Sequence, residues 1–247
     1  MGRMMAAFLV LAGGLQAQEK AVVKGEGATV TGEVKIEGPV GRIKNIPLTP
    51  ECAQLHGGAP MKCEDVQVDD QSRVKWVFVW VKKGLEGKTF PLPEGDVLLD
   101  QRGCRYEPRV FGLRVGQTLK VRNSDPNAHN VHGLPFENRE FNFMQPVQGQ
   151  VDTVRFVKPE SSVIVKLKCE LHTWMFGWAG LLEHPFFAVT DGSGKFAIKD
   201  LPPGKYTLGV WHEAWTTVDP AGCEREIEVK AGEAKVVNFA LDKKRAP

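Results

Sequence analysis

Several things are scarce in this chain of 247 residues. Long basic runs are missing: 32 Lys and Arg stand against 30 Asp and Glu, for a formal net charge of +2, so an electrostatic grip on nucleic acid is excluded as a function. No apolar run reaches the about 20 residues that a spanning helix needs; the leading one, Met4 to Leu15, stops well short. Amphipathic helical periodicity is almost absent beyond the first residues, which argues against an α/β fold. The cysteines never form a C-x2-C pair, the common mark of structural zinc, and C-x-x-C-H, which would attach a c-type haem, does not occur.

What is present begins with MGRMMAAFLVLAGGLQAQEK, where one Arg, an apolar segment and the small Ala17 have the layout of a cleavable secretory leader. Cleavage is expected after Ala17, and no Cys follows it to carry a lipid. The mature chain is therefore expected in the periplasm or outside the cell, without a transmembrane span, in an oxidising compartment where thiols tend to pair. Five cysteines, Cys52, Cys63, Cys104, Cys169 and Cys223, leave one thiol for other work. Cys169 is the candidate. The other four could form two disulfides in three connectivities, among which a Cys52–Cys104 pair is favoured.

Short alternating apolar pieces separated by Gly, Pro, Asn and Asp dominate the remainder: ATVTGEVKIEG, VKWVFVWVK, VFGLRVGQTLKVRN, VDTVRFV, SSVIVKLKC, WAGLLEH, FFAVTD, KFAIKD, KYTLGVWHE, EREIEVK and AKVVNFALD. They predict an all-β protein built as Greek-key sandwiches. Two long stretches rich in Pro and Gly, about residues 46–72 and GLEGKTFPLPEGDVLLDQRGCRYEPR, read as loops that cover or serve a site.

The chemistry concentrates in CELHTWM, where Cys169, His172 and Met175 follow one another at intervals of three. Upstream, VRNSDPNAHNVHGLP offers His129 and His132. One thiolate, two imidazoles and a thioether are the donors of a mononuclear copper electron-transfer site, with a His2Cys plane and a long axial Met bond. If SSVIVKLK delivers Cys169 and WAGLLEH leads away, the loop between them curls three donors around one ion, and His129 or His132 supplies the fourth. Rivals fit less well: zinc would not choose Met, and a Cys169–His172 nucleophilic dyad lacks a third member and an oxyanion pattern. Six histidines, scattered as they are, do not supply the paired motifs of a multicopper oxygen-reducing cluster.

The two motifs N-S-D-P-N-A-H-N-V-H and C-E-L-H-T-W-M make residues 110–184 resemble a cupredoxin of the plastocyanin and amicyanin type. The resemblance covers about a third of the chain. It implies one type 1 copper bound by His129, Cys169, His172 and Met175, with Asn130 bracing the ligand loops and His132 a neighbour of the site. It further implies a carrier of single electrons between redox partner proteins, not an enzyme. The stretch FFAVTDGSGKFAIKDLPPGKYTLGVWHE resembles a carboxypeptidase regulatory-like, or transthyretin-like, sandwich, whose opening strand is matched far upstream by TGEVKIEG. The expected organisation is thus a leader over residues 1–17, an N-terminal strand region of the regulatory-like sandwich over 21–45, and a strand plus cysteine-bearing loops over 46–109. A cupredoxin core over 110–184 and the smaller regulatory-like sandwich over 185–243 complete it, the cupredoxin being inserted in the second sandwich or followed by it.

Overall fold

Strand β1 (Ala28–Glu37) buries Ala28, Val30, Val34 and Ile36 on one face, the period-two pattern of a half-buried strand. The computed structural model describes residues 26–38, 40, 43–214 and 223–242. The leader and parts of both terminal segments lie outside them. β1 pairs antiparallel with β13 (Lys195–Leu201) and parallel with β16 (Ala234–Val236) and β17 (Phe239–Asp242). A second sheet runs β12 (Phe187–Val189), β2 (Phe78–Lys83), β14 (Gly204–Trp211), β15 (Glu224–Val229). Val30, Val34, Val79, Val81, Ile198 and Leu208 meet in a shared core between these sheets. β2 is shorter than VKWVFVWVK suggests because Trp76 adopts a left-handed φ of 68°, which breaks the extended run.

Between β2 and β12 the chain departs to build another sandwich. One sheet orders β5 (Val110–Arg114), β11 (Phe176–Leu182), β10 (Ile164–Lys168), β7 (His129–Leu134), β8 (Phe141–Gln145). The facing sheet orders β4 (Tyr106–Glu107), β3 (Val97–Gln101), β6 (Thr118–Asn123), β9 (Val151–Arg155). Leu99, Leu119, Val121, Val131, Val165 and Leu167 fill the space between them. The fold is all-β, as the alternation predicts. Segment 46–109 is divided: β2 belongs to the outer sandwich, whereas β3 and β4 belong to the inner one.

Aromatic rings join the two sandwiches. Phe187 packs on the backbone of Gly112 and Phe78 on that of Gly180, where a Cβ would stand only 1.8 and 2.1 Å from ring carbons. Glycine is the residue that permits this approach. Trp76, Trp80, Trp178 and Trp211 surround the contact.

The long loop before β2 is not wholly irregular. α1 (Pro50–Leu55) starts at Thr49, whose hydroxyl accepts from Cys52 N at 3.4 Å, with proline in the first turn. Cys52 on this helix is disulfide-bonded to Cys104, the pairing favoured from the sequence. A second disulfide through Cys63 does not form: Cys63 is a free thiol. His56 at the end of this helix reaches Gly103 O at 2.9 Å.

Candidate metal centre

β10 carries Val165 and Leu167 into the inner core, and the same alternation turns Cys169, just past the strand end, toward that core. The turn that follows closes on itself: Cys169 N donates to Met175 O at 3.0 Å and Met175 N donates to His172 O at 2.9 Å. β11 then leaves, paired with β10 from Lys168↔Phe176 onward. The loop of seven residues is thereby fixed at its base by strands, and Met175 is buried within it.

The upstream histidines both belong to β7. Parity then separates them. His129 and Val131 face the core, whereas Asn130 and His132 point the other way. His129 Nδ1 stands 3.1 Å from His172 Nδ1, and His172 Nδ1 stands 3.6 Å from Cys169 Sγ. One donor atom from each of His129, Cys169 and His172 lies within 4.8 Å of the other two, and all three residues are buried. Atoms about 2.0–2.3 Å from a shared ion and about 100–120° apart around it stand about 3.1–3.8 Å from one another, so the spacing suits one ion. His132 is instead 13% exposed and held between Glu140 at 2.7 Å and Glu170 at 2.5 Å.

The surroundings set the proton positions. Asp125 Oδ2 faces His129 Nε2 at 2.8 Å, and the same carboxylate accepts from Gly103 N at 2.7 Å and Cys104 N at 2.8 Å. Gly103 and Cys104 both have left-handed φ, 62° and 52°, which lets their consecutive N–H groups converge on the acid. Asp125 thus keeps a proton on Nε2 and aims the Nδ1 lone pair at the centre. Sequence reasoning missed Asp125; its only signal was a carboxylate four residues before His129. Burial alone would push the Cys169 thiol up, but hydrogen bonds from His129, His172 and the N–H groups of Asn130 and Leu171 together hold it down to about 6. Burial lowers His129, and Asp125 with Cys169 outweigh it, so its proton affinity is raised.

Asn130 ties loop to strand: its Oδ1 accepts from Glu170 N at 2.5 Å, its Nδ2 donates to Asn142 Oδ1 at 2.6 Å, and its carbonyl accepts from the Tyr106 hydroxyl at 2.7 Å. The Cys52–Cys104 disulfide covers the His172 side, with both sulfurs within 4.8 Å of a His172 ring nitrogen. Trp174 closes the same flank, its ring 5.3 Å from that of His172 and its Nε1 donating to Cys104 O at 3.2 Å. Cys52 and Cys104 therefore crowd the centre without offering thiolates to it.

No protein-family profile and no curated protein matches the chain. Parts of it are similar to solved structures. A reduced mutant of amicyanin shares 22% identity over 37% of this chain and 86% of its own, at a TM-score of 0.32. A purple cupredoxin from Nitrosopumilus maritimus shares 19% over 35% of this chain and all of its own, at 0.31. A copper-containing nitrite reductase from Thermus scotoductus shares 19% over 42% of this chain and 26% of its own, at 0.32. At such scores the chemistry of the centre rests on its own geometry.

Proposed function

We propose that the chain is a type 1 copper protein that carries single electrons between partner proteins and catalyses no bond-making step itself. The observation that carries this reading is the convergence of His129 Nδ1, His172 Nδ1 and Cys169 Sγ in a buried site whose ligand loop also holds Met175. The donor set fits copper: sulfur favours the cuprous state, imidazole serves both states. Bound copper would supply reversible one-electron exchange.

The chain's own residues do the rest. Asp125 holds His129 in one tautomer, Asn130 pins the Glu170 backbone beside Cys169, and the disulfide with Trp174 excludes water from His172. Ligands fixed in this way rearrange little when charge changes, which favours rapid exchange. Leu171, 48% exposed between two ligands, marks the face where a redox partner would dock. We read the outer sandwich as a regulatory-like module that presents the copper unit, and the compartment as the periplasm or cell exterior. Among the described residues no helix is long and apolar enough to cross a membrane.

Copper-loaded protein should be intensely coloured, show a small copper hyperfine splitting in electron resonance, and keep its metal through repeated reduction and oxidation. Colourless protein with ordinary tetragonal copper would contradict the reading. A copper carrier using the same donors is the second possibility, and ready surrender of copper to a chelator would favour it.

A further inference from the structure

A cavity of about 430 Å³ opens beside the centre, where the loop before β2, the inner sandwich and the end of β14 meet. Three sulfur residues line it: Met61, Cys63 and Met175. Their shared orientation has a local cause. Ile46 N donates to Met61 O at 2.8 Å, Cys63 N donates to Lys44 O at 2.9 Å, and Lys62 bridges Asn45 between them. In such an extended ladder residues two apart share a face, so M-K-C turns both sulfurs to the cavity and the lysine away. Burial rises along the series: Cys63 is half-buried, Met61 is 5% exposed and Met175 1%.

Of the four proposed ligands only Met175 lines this cavity; His129 is fully buried, and the disulfide and Trp174 pack against His172, which is 7% exposed. The cavity's charges are mostly committed: Arg109 to Glu213 through two hydrogen bonds, Arg105 to Glu64, and Lys166 over the rings of Phe176 and Trp178. Asp65 lines the cavity with Cys63, and burial together with this carboxylate holds the thiol above its ordinary value, so Cys63 keeps its proton until a metal displaces it. With charges balanced, a ligand held here is held by sulfur, which selects a soft monovalent metal over hard cations.

We propose that this cavity is a second metal site, a loading vestibule in which Cys63 and Met61 capture cuprous ion and pass it to Met175. The inference rests on the reading of His129, Cys169, His172 and Met175 as a copper centre. In the capture step a Cu–S bond forms to Cys63 as its S–H bond breaks, the proton leaves by way of Asp65 to water, and no electron changes hands. Transfer exchanges that Cu–S bond for bonds to the buried ligands.

The test uses the full apo chain, anaerobically, with cuprous bicinchoninate as the source. Cys63→Ser should slow copper uptake about tenfold or more, and Met61→Leu less, whereas the final copper content and colour match the parent. In a Cys169→Ser chain, one equivalent of cuprous ion should still protect Cys63 from alkylation by iodoacetamide, mapped by mass spectrometry, whereas zinc should not. Uptake by Cys63→Ser at the parental rate, or Cys63 alkylation indifferent to cuprous ion, would overturn the proposal. A colourless final protein in which Cys63 is nonetheless protected would overturn the type 1 reading alone.

Discussion

The two sandwiches solve the same packing problem with different interiors. Of thirteen buried polar or charged residues among the described ones, eleven lie between Asp100 and His172, whereas the outer sandwich and its edge contribute only Thr190 and His212. The outer core is a run of Val, Ile, Leu and Phe. The inner one devotes interior space to Gln101, Asn123, Asp125, His129, Asn130, Gln145 and His172. Buried polar groups stabilise only when every partner is satisfied. Here most are: Asn123 Nδ2 donates to Asn127 O at 2.9 Å and Gln145 O at 3.0 Å, Gln145 donates to Val121 O at 2.9 Å, and Gln101 bonds Gln145. The inner sandwich is organised to aim donor atoms, the outer one to be stable.

Four variants should break or sharpen that contrast. Asp125→Ala would strand the Gly103 and Cys104 N–H groups and His129 Nε2. At about 1–3 kcal/mol for each of the three stranded donors the loss should total about 3–9 kcal/mol, and copper affinity should fall about 10- to 100-fold; denaturant unfolding and copper titration would read the two. Next comes Cys52→Ala with Cys104→Ala. The disulfide closes a loop with a sequence separation of 52, so chain entropy gives about 4 kcal/mol. Copper should also become more accessible to chelator as His172 loses its cover.

Leu208→Ala in the outer core should cost about 2–5 kcal/mol in unfolding experiments yet leave the spectrum of bound copper unchanged. A spectral change would mean that the two interiors are coupled. The last contrast is in acid. Burial, aided by Arg114 and Arg109 respectively, holds His184 down to about 4 and His212 down to about 3. The unfolded imidazoles take protons near 6.5, so between those values the unfolded chain binds more protons and stability rises with pH. The contribution is complete above about pH 6.5 and is lost as pH falls toward 4 and then 3, at up to about 1.4 kcal/mol per unit for each histidine. Thermal melts of His212→Gln should show a flatter acid limb than the parent.

Legibility in the sequence followed the same division. Alternation exposed most strands because one face of each is buried, and C-x2-H-x2-M stood out because its donors are close in the chain. β3, β4 and α1 were hidden: VLLDQ and YE sit in Pro- and Gly-rich surroundings, and a helix of six residues shows too little periodicity. His129 and His132 could not be separated by residue type. Strand parity separates them, and parity requires knowing where β7 begins. Asp125 was invisible because its partners, the N–H groups of Gly103 and Cys104, become neighbours only through the fold. Cys63 resisted the expectation of pairing because it faces a cavity lined by two thioethers.

X-ray absorption at the copper edge, on loaded parent protein and on Cys169→Ser, tests the central claim most directly. The expected result is two imidazole nitrogens and one short sulfur around copper in the parent, with that sulfur lost in Cys169→Ser. Copper surrounded by nitrogen and oxygen alone, or a sulfur contribution that survives the substitution, would contradict it.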